Sequence, residues 1–189
     1  MQAQTEQKIK DEITEAIPEF DLIADEDLRN KTIAVWEDAI IEGGWTIAAL
    51  HKMPFSIHLE NCNISFIEHV RTVCKMCVAV HDILKDAYGE RSQLNKDYLI
   101  AGALLADVGK LIEYEEKDGV ITKAGRGQHL RHPFTGVAMS HQRGIPPEVQ
   151  HIIATHSKEG EMMERSNESV IFHHADFIDF DLVSKKRPF

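Results

Sequence analysis

The chain has 189 residues, a length typical of one domain that buries a single substantial core. Hydrophobic residues make up 43% and charged residues 28%, ordinary values for a folded globular protein that argue against long disordered regions. The net charge of −10 disfavours binding to nucleic acid or to anionic membranes, and no run approaches the ~20 consecutive apolar residues of a membrane span. Because the amino-terminal residues are polar and lack the apolar core of a signal sequence, we expect a cytoplasmic protein.

Helical periodicity dominates the first third of the chain. Residues 4–16 have the pattern of a charged, weakly amphipathic helix. Residues 25–44 predict a second helix that ends at Gly43 and Gly44. Residues 45–63 mix short helical and extended pieces, so no long element is predicted there.

A long third helix is predicted over residues 65–89. Ser65 and Glu68 have the spacing of a capping box, and Gly89 ends the pattern. Apolar residues repeat every three or four positions along this helix, which predicts a continuous buried stripe. The stripe consists of Phe66, Val70, Val73, Cys77, Val80 and Leu84.

Two of the three cysteines, Cys74 and Cys77, have the spacing of a redox or zinc motif. They lie inside the long helical pattern, with no second cysteine pair and no preceding strand. We therefore interpret them as residues of the hydrophobic core.

The second half of the chain predicts helices and one hairpin. Residues 96–114 are apolar nearly all round, which is typical of a central helix packed on several sides. Asp118 and Gly119 lie between two extended runs and favour a small β-hairpin. Three further helices are predicted over residues 132–144, 146–157 and 168–183. The predicted fold class is all-α, a helical bundle with a short β-hairpin insertion.

Eleven histidines occur in the chain, so their positions must be sorted. Five have no carboxylate or histidine partner at a useful spacing or lie in polar surroundings, and we interpret them as ordinary surface or core residues: His51, His58, His81, His141 and His151. Five other imidazole and carboxylate groups fall on inward-facing positions of separate helices: His69, Asp107, His132, His156 and Asp176. A buried carboxylate such as Asp107 needs a cation or strong donors, and such a set of groups is what a metal site in a helix bundle requires.

The order of these residues resembles the HD-domain superfamily of metal-dependent phosphohydrolases. The resemblance rests on "EHVRTV", "LLADVGK", "RHPFTG", "ATHS" and "HHADFID", which contain the five groups in turn. It covers about residues 65–180, so we predict a single domain over 1–189, with an HD core at 65–180 and a helical extension at 1–64.

The resemblance implies one or two divalent transition metal ions. His69, Asp107 and Asp176 would hold the first ion, and His132 and His156 would join Asp107 at a second. Mixed nitrogen and oxygen ligands suit Mn, Fe, Co, Ni or Zn. A water on the metal would be the nucleophile that attacks a small phosphate ester or a nucleotide-like substrate. We expect no nucleic-acid or membrane partner, and the oligomeric state is left open.

Three basic residues are candidates for contact with substrate. Lys110 follows Asp107 by one turn and could stabilise negative charge in the pocket, or it could be a solvated lysine at a helix end. Arg126 and Arg131 precede His132 and are candidate anion contacts, with ordinary surface charge as the alternative. Asp107 and Lys110 are the predicted catalytic residues, and the two arginines are the predicted substrate-binding residues.

The chain departs from the family pattern at one position. The family is named for an adjacent His and Asp, and Ala106 stands where the His is expected. Three interpretations are open: a deliberate inactivating substitution, a natural member that keeps a subset of the metal ions, or a degenerate protein that binds without turnover. We expect weakened metal binding and low activity in this chain.

Alternatives to phosphate-ester hydrolysis also follow from the sequence. Hydrolysis of a non-phosphate bond and oxygen-dependent cleavage at an HD-type di-iron site are other enzyme classes, and a non-catalytic ligand-binding regulatory module is a third possibility. Trp45, Phe55, His58 and Asn61 could line the mouth of the pocket or could pack against the core.

Overall fold

The computed structural model describes residues 2–59 and 62–184, and it has the predicted all-α architecture with one hairpin. The α-helices are α1 (Gln2–Ala16), α2 (Glu26–Gly43), α3 (Ile47–Leu50), α4 (Phe66–Tyr88), α5 (Lys96–Leu105), α6 (Lys110–Glu113), α7 (His132–Gln142), α8 (Pro147–Thr155) and α9 (Asn167–Ser184). The strands are β1 (Tyr114–Lys117) and β2 (Val120–Lys123). Within the described residues, no helix is long and apolar enough to cross a membrane.

The ends of the early helices follow the sequence signals. Gly44 adopts a left-handed conformation directly after α2, with φ of 70°. At the start of α4, the Ser65 hydroxyl accepts the Glu68 N–H, and the Glu68 carboxylate accepts the Ser65 N–H at 2.8 Å. The predicted capping box is therefore confirmed, and it fixes the first turn of α4, which carries His69.

The predicted buried stripe of α4 is confirmed in its first four residues, and Leu84 at its end is only partly buried. Phe66, Val70, Val73 and Cys77 are buried, but the Val80 side chain is 38% exposed. His81 is buried in its place, because the stripe of an α-helix drifts from a strict three-and-four repeat toward the neighbouring position. Cys74 is also fully buried, which confirms that the CKMC cysteines are core residues.

The predicted helix over residues 96–114 is wrong as a single element, because the chain tightens between α5 and α6. The N–H of Val108 bonds to the carbonyl of Leu105, three residues back, and the N–H of Lys110 bonds to Asp107 in the same way. The carbonyl of Leu104 accepts the Trp36 indole N–H at 2.8 Å instead of continuing the helix. This turn of residues 106–109 points Asp107 into the bundle.

The hairpin is confirmed at the predicted position. Strands β1 and β2 pair antiparallel, with Tyr114 opposite Lys123 and Lys117 opposite Val120. Asp118 and Gly119 form the turn with φ of 53° and 79°, and two positive φ values are typical of the tight turn that suits a twisted hairpin. The hairpin leads the chain from α6 back toward α7.

Helix α5 lies at the centre of the bundle and packs against α2, α4, α8 and α9. Its residues Leu99 to Leu105 are all buried. Side chains from the amino-terminal segment, including Ile13, Phe20 and Trp36, belong to the same hydrophobic core. This shared core supports the proposal of a single domain in which residues 1–64 are an extension of the HD core.

One glycine allows α7 to approach the turn that carries Asp107. A Cβ atom on Gly109 would lie 2.2 Å from the carbonyl oxygen of His132. Any other residue at position 109 would therefore push the start of α7 away. The close approach sets His132 beside Asp107.

Candidate metal centre

The five predicted ligands come together around Asp107. Each of its two carboxylate oxygens faces a different group of side chains. Oδ1 lies 3.3 Å from His132 Nε2 and 3.6 Å from His156 Nε2. Oδ2 lies 3.2 Å from His69 Nε2, which is itself 3.1 Å from Asp176 Oδ1. Two sets of three ligand atoms thus share Asp107: Asp107, His132 and His156 in one set, and His69, Asp107 and Asp176 in the other. We call them the two-histidine group and the two-carboxylate group.

In the two-histidine group, both imidazoles turn Nε2 toward the centre and have an acceptor at Nδ1. His156 Nδ1 donates to the carbonyl of Ile153 at 2.7 Å, and His132 Nδ1 donates to the Glu113 carboxylate at 2.8 Å. In a neutral imidazole whose Nδ1 carries the proton, Nε2 has a lone pair. The two Nε2 atoms are 3.2 Å apart, so two lone pairs and one carboxylate oxygen converge on one point.

Three electron-pair donors that converge in this way indicate whether the site suits a metal ion. Three electron-pair donors that face one another repel unless a cation lies between them. Neutral imidazole and carboxylate are also the ligands that divalent transition metals prefer. The residues present in the two-histidine group therefore fit such an ion.

In the two-carboxylate group, His69 is oriented by a carboxylate that the sequence reading did not select. His69 Nδ1 lies 2.7 Å from Asp179 Oδ2, one turn after Asp176 on α9. The Phe55 ring stacks on the imidazole, with centroids 4.3 Å apart. Asp179 and Phe55 thus fix the imidazole plane and direct Nε2 at Asp107 and Asp176, which is a common arrangement around metal-binding histidines.

The electrostatics of the two groups differ. Burial alone would lower the pKa of His69, but contacts with Asp107, Asp176 and Asp179 outweigh it and raise the pKa to about 10. For His132, burial dominates and lowers the pKa to about 4, although Glu113 opposes the shift. At neutral pH without metal, His69 thus carries a proton, whereas His132 is neutral.

Lys110 faces this centre and is buried. Its Nζ donates to Asp107 Oδ2 at 2.8 Å and to the carbonyl of Phe55 at 2.9 Å. Burial would lower the pKa of Lys110, but the attraction of Asp107 outweighs it, so the amine stays charged. The same pairing holds the pKa of Asp107 well below its ordinary range against the opposing effect of burial. Lys110 was interpreted either as a residue that faces the pocket or as a solvated lysine at a helix end. In the structure its side chain points into the centre.

Glu113 supports His132 and was missed by the sequence reading. Its Oε2 accepts both the Nδ1–H and the backbone N–H of His132, at 2.8 and 2.7 Å. Its Oε1 accepts Arg131 Nη1 at 3.1 Å and contacts Lys123 Nζ at 3.4 Å. A charged residue on the predicted buried helix of residues 96–114 was the available signal, the same signal that selected Asp107.

The two arginines lie in different surroundings. Arg131 sits directly before α7, bonded to Glu113 and to Glu159, and its side chain is one third exposed. Arg126 is more exposed and pairs with Glu42 of α2, away from the ligands. Their roles as anion contacts remain predictions, and the geometry favours Arg131.

The residues proposed for the pocket mouth differ in their surroundings: one packs in the core, and two lie near the site. Trp45 is buried and donates its indole N–H to the carbonyl of Leu111, so it packs in the core. Phe55 contacts His69, as described above. His58 is exposed, and partial burial together with the charge of Arg131 lowers its pKa, which places it near the same basic residues. Asn61 lies outside the described residues.

Helix α9 carries Asp176 together with several aromatic side chains. His173, Asp176, Phe177 and Phe180 recur at helical spacing, and the Phe177 ring contacts both His173 and Phe180. The Asp176 and Asp179 side chains are about one sixth exposed, whereas the other ligands are buried. Two open clefts of about 590 and 690 Å³ are lined by none of the predicted ligands. Asp176 is the most exposed of the five predicted ligands.

Comparison with known proteins gives a family match and one curated relative. The HD-domain family model matches residues 66–181. The chain is 32% identical over 165 residues to the dihydroneopterin 2',3'-cyclic phosphate phosphodiesterase of Methanocaldococcus jannaschii. The match covers 83% of this chain and 64% of the relative, so the chain spans less than two thirds of the relative's length. No solved structure matches the chain significantly.

Proposed function

This chain belongs to the HD-domain family, and we propose that it is a metal-dependent phosphohydrolase that acts on a small phosphate ester or a nucleotide-like substrate. The carrying observation is the convergence of two imidazole lone pairs and a carboxylate oxygen at Asp107, His132 and His156. The phosphodiesterase relative supports phosphate-ester chemistry over the alternative enzyme classes.

The residues around the centre would have three roles: metal binding, stabilisation of negative charge and phosphate binding. Asp107, His132 and His156 are the proposed ligands of the catalytic ion, and His69 and Asp176 complete the second group of candidate ligands around Asp107. A divalent ion held by these residues would supply Lewis acidity, which lowers the pKa of a bound water toward neutrality. The Lys110 ammonium, held beside Asp107, would stabilise negative charge that develops on the phosphoryl group. Arg131 would bind a non-bridging phosphate oxygen at the edge of the site.

The substrate would carry a planar ring. The Phe177 ring follows Asp176 in α9 and is 37% exposed, so it offers a surface for aromatic stacking. The relative is named for a cyclic phosphate of dihydroneopterin, a fused-ring compound. We therefore propose a cyclic or acyclic phosphodiester attached to a ring system as the substrate class.

Ala106 would reduce this activity. The family resemblance assigns a metal ligand to this position, and a methyl group cannot donate an electron pair. The chain as it stands would therefore turn over slowly, and Ala106→His would restore the missing ligand.

The test compares hydrolysis by the chain and by Ala106→His. Both proteins would be analysed for iron as purified, then loaded with Mn²⁺, Co²⁺ or Fe²⁺ and assayed with bis(p-nitrophenyl) phosphate and with a nucleoside 2',3'-cyclic phosphate, with oxygen uptake recorded for the iron-loaded proteins. We expect metal-dependent hydrolysis in both, at least tenfold faster in the variant. Circular dichroism would establish that the variant folds, because position 106 is fully buried.

The outcomes separate the alternatives. Phosphate-ester hydrolysis that a chelator abolishes supports the proposal. Bound iron with oxygen uptake and no phosphate release would favour the di-iron oxygenase instead. Bound metal without hydrolysis of either ester in either protein would refute the proposal and leave a non-phosphate hydrolase or a ligand-binding module.

A further inference from the structure

We propose that this chain holds one tightly bound divalent ion, in the two-histidine group, and that the Lys110 ammonium takes the place of an ion in the two-carboxylate group. The inference rests on the metal chemistry of the proposed function. It concerns which of the two groups this particular chain can fill. Contacts at Asp107 and at Lys110 carry it.

The two-carboxylate group already contains a fixed cation. Lys110 Nζ lies 2.8 Å from Asp107 Oδ2, the oxygen that this group would offer to an ion. The ammonium and a divalent ion on the same oxygen would repel each other at short range. An ion there would be left with His69 Nε2 and Asp176 Oδ1 as ligands that are not shared with a competing cation.

Lys110 cannot easily leave this position. Its side chain is 10% exposed, its Nζ also donates to the carbonyl of Phe55, and it lies 5.8 Å from the centroid of the Phe55 ring. Moving the ammonium away from Asp107 would leave a buried charge without its counterion, which is strongly unfavourable. A divalent ion would have to overcome this cost before it gained its own ligands.

The two-histidine group does not share its carboxylate oxygen with the Lys110 ammonium. Its three atoms are Asp107 Oδ1, His132 Nε2 and His156 Nε2, and Lys110 bonds to the other oxygen of Asp107. The imidazoles are held by Glu113 and by the carbonyl of Ile153, so their lone pairs converge without rearrangement. Three protein ligands with open positions for water or substrate are typical of catalytic metal sites.

Ala106 makes the difference between the groups larger. In the pattern that the sequence resembles, a histidine at this position would add a neutral ligand to the two-carboxylate group. The methyl group of Ala106 adds none, so the ammonium faces no imidazole competitor there. The lost ligand and the retained lysine thus act in the same direction.

The test measures metal stoichiometry and affinity without substrate. The chain would be stripped with chelator and titrated with Mn²⁺ or Co²⁺ by calorimetry, with bound metal counted by elemental analysis. We expect one equivalent. His156→Ala should weaken its binding at least 100-fold, whereas Asp176→Asn, the matched removal of a ligand from the other group, should change the affinity less than about threefold.

Lys110→Met tests the second half of the inference. Methionine has a similar length and no charge, so Asp107 Oδ2 becomes available, and a second, weaker equivalent should appear. Thermal unfolding followed by circular dichroism would show that each variant is folded at the titration temperature. If His156→Ala does not fold, His156→Gln provides the same comparison.

Three results would overturn the inference: two tight equivalents in the unmodified chain, loss of the ion in Asp176→Asn with retention in His156→Ala, or an unchanged single equivalent in Lys110→Met. Absence of any bound ion would overturn it together with the proposed function. A single ion with the expected variant pattern, but without phosphate-ester hydrolysis, would refute the proposed function alone.

Discussion

Glu113→Gln tests whether the second carboxylate on this stretch of chain positions a metal ligand. Glu113 is buried and accepts three hydrogen bonds through its two oxygens, two of them from His132, and it also forms an ion pair with Lys123. Glutamine has nearly the same shape, but only its amide oxygen can accept. Whichever way the amide turns, its NH₂ group faces donors from His132 or from the Arg131 and Lys123 side chains.

Glu113→Gln should destabilise the folded protein by several kcal/mol. Burial opposes ionisation of Glu113, but its contacts with His132 outweigh burial and lower its pKa from 4.5 to about 2, which corresponds to about 3 kcal/mol. Removing one partner of a buried charged hydrogen-bond network costs about 3–5 kcal/mol. For a chain of this length we therefore expect the melting temperature to fall by about 6–20 °C. Metal affinity should fall about 10–100-fold, because the Nδ1 proton of His132 loses its acceptor.

The contribution of the Glu113 carboxylate to folding stability should depend on pH. Because the pKa of Glu113 in the folded protein lies below its ordinary value, its carboxylate stabilises the fold above about pH 4.5, and this contribution is lost as the pH falls toward 2. In urea titrations of the metal-free proteins, the stability gap between the chain and Glu113→Gln should be full at pH 7 and should narrow below pH 4.5.

Glu159→Gln is the matched control. Glu159 also accepts a hydrogen bond from Arg131, at 3.1 Å, but it does not bond to His132. Its substitution should leave metal affinity within about threefold. Equal losses of metal affinity in the two variants, or a stability gap for Glu113→Gln that does not depend on pH, would refute the assignment of Glu113 as a positioning residue.

Three further predictions concern the frame around the site. Trp36→Phe removes the donor to the buried Leu104 carbonyl and should destabilise the fold by at least about 2 kcal/mol in urea unfolding; a smaller loss would mean that another donor replaces it. Ser65→Ala removes the cap of α4 and should cost about 1 kcal/mol, measured in the same way, with no loss if the cap is dispensable. Because burial raises the pKa of the Cys74 thiol to about 12, a thiol reagent should modify Cys62 first in the native protein, and rapid labelling of Cys74 would contradict its place in the core.

Much of the fold was predictable because its signals are local. The capping box of Ser65 and Glu68, the Asp118-Gly119 turn and the glycines after α2 each act within a few residues. The metal ligands were predictable for a different reason. Ionisable groups on apolar helices need partners, and the order of five such groups resembled one family.

The features that escaped prediction depend on contacts between distant parts of the chain. The break after α5 follows from a hydrogen bond between the Trp36 indole and the Leu104 carbonyl, 68 residues apart in the sequence. No local sequence pattern predicts such a bond. The inward direction of Lys110 depends on the carbonyl of Phe55, 55 residues away. Glu113 acts on His132 across the hairpin, and its role becomes visible only when the hairpin folds back.

These distant contacts also explain how the site can keep its shape although one expected ligand is absent. Asp107 is directed inward by the turn of residues 106–109, and that turn is stabilised by the Trp36 indole and by the close approach of Gly109 to His132. Each imidazole is held through its Nδ1 by a protein acceptor. The positions of the ligands are therefore fixed by the protein, and Ala106 removes one electron-pair donor without loosening the others. Metal chemistry at this site should accordingly respond to position 106 through affinity and stoichiometry, while the free energy of unfolding of the metal-free protein responds mainly to Glu113, Trp36 and Gly109.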